Sequence, residues 1–218
     1  MEPITQQAID FMAQQFKALG LKSNRSKRMW TDDLGYCFST FHIRIPSCGV
    51  GLFIDNGITM LWENPEHVYY TYSKLWHGRV FLENDPYACL TANSPEWLMA
   101  NEYARRDLAA EIQDTVEHYR KMRDYQTTRD YFGRLYQDAK MRAYFPKCEL
   151  HYSLALFMLG NTKEAISIWQ SSPHPVTSEL LALGSEEKMK EHMRDVVSER
   201  RIAFKRYLNN NVEYSLII

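Results

Sequence analysis

The chain has 218 residues, with 26 Lys and Arg against 27 Asp and Glu, so its net charge of −1 lacks the basic balance of proteins that coat nucleic acid or anionic membranes. Hydrophobic residues make up 45% and include 14 Tyr, 10 Phe and 5 Trp, enough apolar area for a packed core, which excludes a disordered chain. No stretch reaches the ~18–20 apolar residues that span a bilayer, and Met1-Glu2-Pro3-Ile4-Thr5-Gln6 has no basic lead-in or apolar run. The expectation is a cytoplasmic protein with no membrane partner.

Residues 4–19 predict a helix. Pro3 suits a first turn, and Ile4, Ala8, Met12, Phe16 and Leu19 recur every three or four positions as one apolar stripe. Gly20 can take the left-handed stop conformation, with Leu21 as the apolar cap contact. The segment Lys22-Ser23-Asn24-Arg25-Ser26-Lys27-Arg28 follows, with four cations and no acid. From Tyr36 to Ile45 the pattern switches to period two. Cys37, Phe41, Ile43 and Ile45 take one face of the expected strand, and Tyr36, Phe38, Thr40, His42 and Arg44 the other. Asn56-Gly57 between the runs Val50–Ile54 and Ile58–Trp62 predicts a tight hairpin. Val68 to Trp76 and Arg79 to Leu82 read as two further strands, for an antiparallel meander of about five.

At Ser94 the period becomes helical: Ser94 is a good N-cap, Pro95 fits the first position, and Ala104, Leu108, Ile112, Val116, Tyr119 and Met122 form a stripe. Further helices are expected over about 128–144 and 147–159, the latter apolar nearly all round and so central. Leu159-Gly160-Asn161 to Ile166, with Trp169 closing the next helix, is similar to the turn of a tetratricopeptide-type hairpin. It occurs once, so no repeat array is implied. A short helix at about 178–183 stops at Gly184, a long one starts after Ser185, and Val212 to Ile218 is an apolar tail or an additional strand. The fold class is therefore α+β: residues 1–92 form a helix plus antiparallel meander, and residues 93–218 a helical region packed against it.

Chemistry-bearing motifs are sparse. The four cysteines at 37, 48, 89 and 148 match no zinc or redox spacing and read as core thiols. The seven histidines form no metal-binding pattern, and there is neither a Gly-x-Ser-x-Gly elbow nor a phosphate-cradling glycine loop. No cofactor, metal or catalytic residue is expected. Two candidate surfaces remain. Trp62, Tyr70, Tyr72 and Trp76 are richer in aromatics than a sheet core requires, and exposed Tyr and Trp serve as protein-interface anchors; the competing reading buries them under the helices. Lys22, Arg25, Lys27 and Arg28 followed by Trp30 could place cations on phosphates and an aromatic on a base; the competing reading is a solvated connection.

Leu19-Gly20-Leu21, the basic run from Lys22 to Arg28, Trp30 and the strands from Tyr36 together resemble an uncharacterised bacterial domain family found among genes similar to toxin-immunity proteins. The resemblance covers the first ninety residues. It implies a helix followed by an antiparallel sheet and an immunity-like role, and brings no catalytic residues with it. Together these readings lead to a non-enzymatic protein-interaction protein, immunity-like or an adaptor. The alternatives are nucleic-acid binding through residues 22–30 and an enzyme whose site is dispersed in sequence.

Overall fold

The computed structural model describes residues 2–24, 28–45, 52–63, 94–144 and 147–210. In chain order they form α1 (Pro3–Ala18), β1 (Lys22–Asn24), β2 (Met29–Asp33), β3 (Cys37–Arg44), β4 (Phe53–Met60), α2 (Pro95–Ala100), α3 (Glu102–Arg120), a 3-10 turn (Lys121–Arg123), α4 (Tyr125–Gln137), α5 (Ala139–Tyr144), α6 (Cys148–Met158), α7 (Thr162–Ser171), α8 (Pro175–Ala182) and α9 (Glu186–Asn210). The architecture is α+β, with an N-terminal helix, an antiparallel sheet in the order β1-β2-β3-β4, and a mostly helical remainder. Described residues fall into two compact units: 2–33, 38–58 and 94–119 in the first, and 34–37, 59–63 and 120–210 in the second.

The first unit starts with α1, whose stripe is buried as expected: Ala8, Ile9, Met12 and Phe16 are its buried residues. Its end is a local matter. Gly20 has φ +79°, the Gly20 amide donates to Lys17 O at 2.9 Å and the Leu21 amide to Phe16 O at 3.1 Å. That pair of bonds satisfies the last carbonyls of the helix, which only a residue tolerant of positive φ permits.

Two sequence expectations about the sheet are corrected. Among the described residues there are four strands rather than five, and the predicted strands at 68–76 and 79–82 lie outside those residues, as does the tail at 212–218. The basic segment supplies a strand that polarity concealed: β1 pairs antiparallel with β2 through Lys22↔Thr31, Ser23↔Trp30 and Asn24↔Met29. The second correction concerns Asn56-Gly57, which is not a hairpin but the middle of β4. Asn56 is 2% exposed. Its Oδ1 accepts from the Tyr119 hydroxyl at 2.6 Å, and its Nδ2 donates to Ile54 O at 3.2 Å. A polar side chain so well partnered in the interior outweighs the local turn preference. β3 departs from simple alternation too. Residues 37–41 are all buried, and only His42 and Arg44 show the outward parity. β3 is an inner strand, and Phe41 meets both Phe16 on α1 and Tyr119 on α3, at centroid distances of 5.1 and 5.7 Å.

Side-chain caps subdivide the helical part more finely than periodicity suggests. Ser94 accepts from Trp97 N at 3.0 Å, as expected. Extended Asn101 then accepts from Ala104 N through Oδ1 and restarts the helix as α3. Asp124 accepts from Gln126 N and Thr127 N, so α4 begins at Tyr125 rather than about Thr128. Asp138 does the same for α5. His174 caps α8, which starts at Pro175 rather than about 178. In the second unit α4 packs on α6, and α6 on α7. Gly133 on α4 allows a close contact with α6, since a Cβ there would sit 3.0 Å from the Tyr152 ring. The expectation for α6 holds: eight of its residues, from Cys148 to Phe157, are buried. It forms a helical hairpin with α7 through Gly160, at φ +88°, and Phe157 lies 5.1 Å from Trp169. Cys37 and Cys148 are buried cysteines that are not joined in a disulfide among the described residues.

Candidate functional site

In the first unit a groove of about 1110 Å3 runs between α1 and the β1–β2 hairpin. Helical spacing places Gln6, Asp10, Gln14 and Lys17 along its α1 rim, with Ile9 and Ala13 below them. Across the groove stand Leu21, Ser23, Arg28 and Trp30, with Ile45 at the end. The floor is thus apolar and the rim polar, with two cations against one carboxylate. Arg28 has φ +48°, the only positive value at a non-glycine among the described residues. A left-handed backbone costs an L side chain roughly 1–3 kcal/mol and persists where its surroundings hold it. Here the carbonyl of Arg28 accepts from the Ile43 amide at 3.0 Å, which ties the turn to β3.

The residues singled out for nucleic-acid binding are therefore divided. Arg28 and Trp30 come together at the groove. Lys22 is exposed on β1 and does not line it. Arg25 and Lys27 lie outside the described residues. Trp30 is not an open stacking platform: it is 5% exposed, and its ring stacks on Phe16 at 5.1 Å and 26°.

Of the aromatic quartet, Tyr70, Tyr72 and Trp76 lie outside the described residues. Trp62 belongs to the second unit and is buried at 1% exposure, not displayed as an anchor. Its ring stacks on Tyr36 at 5.2 Å and 12°, and its Nε1 donates to His151 Nδ1 at 2.9 Å. That bond assigns the His151 proton to Nε2. Nε2 points toward Glu63 Oε2 at 3.7 Å, beyond hydrogen-bond length, and has no hydrogen-bond partner among the described residues. Glu63 forms an ion pair with Lys147. Burial, then the Lys147 ammonium and His174, pull His151 down to about pKa 3, so the imidazole is neutral. His174 is lowered as well, chiefly by its burial.

Beside this cluster the Tyr36 hydroxyl donates to Met122 O and lies 2.6 Å from Thr128 Oγ1. Desolvation raises its pKa, and Tyr125, stacked on it, is pushed up to about 12 by burial. Arg200 Nη1 donates to Leu61 O at 3.1 Å. The cluster joins a neutral imidazole, an indole donor and an ion pair, an arrangement that secures the interior of the unit. Among the described residues no three His, Cys, Asp or Glu converge as a metal site. The Cys148 thiol is raised by burial, which opposes thiolate chemistry.

Neither the groove nor the Trp62–His151–Glu63 cluster is visible from motif spacing. Asn56, His151 and Arg28 acquire their places through contacts or backbone geometry with no local signature. No family model, curated protein or solved structure matches the chain.

Proposed function

We propose that the protein is a non-enzymatic interaction protein, immunity-like or adaptor in kind, that holds an extended segment of another protein in the groove between α1 and the β1–β2 hairpin. The observation that carries this reading is Arg28, kept in a left-handed backbone at the groove it lines. Three features support it. β1 is one of the two outer strands of the sheet among the described residues, and an extended segment laid beside such a strand gains main-chain hydrogen bonds. Half-buried Ala13 and Ile45 offer apolar surface to alternate side chains of the occupant, over a floor formed by buried Ile9, Leu21 and Trp30. Lys17 and Arg28 outnumber Asp10 along the lining, so an occupant with a carboxylate is preferred.

Nucleic-acid binding through Lys22, Arg25, Lys27, Arg28 and Trp30 is the alternative. It is disfavoured by the seating of Trp30 against Phe16, which occupies the ring that a base would use. Selection of a random peptide library on the full chain separates the two. The expected result is an enriched consensus with apolar residues in alternation and an acidic residue. Ala13→Trp, which fills the groove from a half-buried position, should weaken binding of the selected peptide at least about tenfold. A folded Ala13→Trp protein that binds this peptide as the unmodified chain does would remove the groove from consideration. Retention of single-stranded probes at low salt, lost steeply as salt rises, would favour the nucleic-acid reading.

A further inference from the structure

The second unit contains a separate cleft of about 310 Å3, walled by Tyr36, by Tyr125 at the start of α4 and by one face of α9. On α9 that face is made by Arg194, Val197, Ser198 and Arg201. Their spacing of three, four and seven residues aligns them along the helix. Tyr125 is half-buried and its ring is stacked on that of Tyr36, with centroids 4.2 Å apart and planes at 15°. One wall is therefore a rigid aromatic surface.

The opposite wall is cationic. Arg194 and Ser198 are exposed, and neither side chain has a hydrogen bond or ion pair among the described residues. Arg201 adds a second positive charge two turns along α9, and a guanidinium engaged elsewhere still has donors to spare, since it carries five N–H groups. Among the described residues no carboxylate lines the cleft. The nearest acid in sequence to Tyr125 is Asp124, whose oxygens accept from the Gln126 and Thr127 amides. The cleft thus sets a flat apolar wall against two guanidinium groups and a hydroxyl.

We propose that this cleft binds a small molecule with one planar aromatic ring and one anionic group, an aryl phosphate or aryl carboxylate. The ring lies against Tyr125 and Val197, and the anion is held by Arg194 with Ser198 and Arg201. Guanidinium forks match the geometry of carboxylate and phosphate oxygens. Clefts that hold small ligands start at roughly 300 Å3, so a single ring with its anion fits and a folded partner does not.

Titration of the full chain with phenyl phosphate, benzoate and inorganic phosphate, followed by NMR of the backbone amides and Tyr rings, tests the site. Saturable binding of phenyl phosphate or benzoate is expected, with a Kd in the millimolar range or below and shifts centred on Tyr125 and α9. Inorganic phosphate, lacking the ring, should bind at least about tenfold more weakly. Arg194→Ala should cost at least about tenfold in affinity, and Ser198→Trp, which fills the cleft, should abolish binding. Both positions are exposed, so the unfolding midpoint should stay unchanged in each variant. Absence of saturable binding by both aryl probes would overturn the proposal. So would equal affinity for inorganic phosphate, or unaltered binding by both variants.

Discussion

Trp62→Ala is expected to destabilise the second unit by about 3–5 kcal/mol, read as a lowered midpoint in urea unfolding. Three losses add. Trp62 is among the largest fully buried side chains, and its truncation leaves a cavity beside Tyr36, against which it stacks at 5.2 Å. The indole N–H that occupies His151 Nδ1 at 2.9 Å disappears, leaving a buried acceptor without a donor. The ring contact with Tyr125, at 6.3 Å, is lost too. Trp62→Phe separates the terms, since it keeps most of the aromatic bulk and removes the donor. Its cost should be smaller, about 1–3 kcal/mol. A midpoint for Trp62→Ala within experimental error of the unmodified protein would mean that Trp62 is not the buried keystone described above.

The second large effect is a loss of stability in mild acid that depends on His151. Burial, Lys147 and His174 hold its pKa at about 3 in the folded chain, against an ordinary value of 6.5. The folded state therefore binds fewer protons than the unfolded state between those two values. The stability due to the neutral imidazole is complete above about pH 6.5 and declines as pH falls toward about 3. At its steepest, the decline approaches about tenfold in the folding equilibrium per pH unit. The structural reason is specific. Nε2 already carries a proton, so a second must enter at Nδ1, where the Trp62 N–H is donated. Glu63, 3.7 Å away, would favour the cation but is ion-paired with Lys147. His174, lowered mainly by its burial, contributes with the same sign.

His151→Gln retains an acceptor for the indole and does not titrate, so its unfolding midpoint should vary less over the same pH window. Lys147→Met removes a charge that opposes protonation and should move the acid transition of His151 upward. Equal pH dependence in the unmodified chain and in His151→Gln would show that the imidazole does not drive the transition.

What could be read in advance was whatever local chemistry decides. α1 and its stop were legible because Ala8, Met12 and Phe16 repeat at helical spacing and Gly20 supplies the positive φ that its last turn needs. The central place of α6 followed from an apolar surface on all sides. What failed was decided at a distance. Asn56-Gly57 carries a strong turn preference, yet the Tyr119 hydroxyl, 63 positions along the chain, and the burial of Asn56 hold it within β4. β1 is the tripeptide Lys-Ser-Asn, with no hydrophobic alternation, and only its register with β2 makes it a strand. The Trp62–His151 bond spans 89 positions and has no spacing signature. In the sequence Arg28 is one cation in a basic run, but its left-handed backbone is a property of the folded turn.

That backbone also supplies the most direct test of the interaction reading. Arg28→Gly relieves the strain at φ +48° and removes a guanidinium from the groove. Thermal unfolding and affinity for the library-selected peptide should be measured on the same protein. The expected result is a Tm raised by a few degrees together with peptide binding weakened about tenfold. Strain would then be tolerated at Arg28 because the side chain holds the occupant. A variant that is more stable and binds the peptide as tightly as the unmodified chain would contradict a role for Arg28 in recognition, and with it the assignment of this groove.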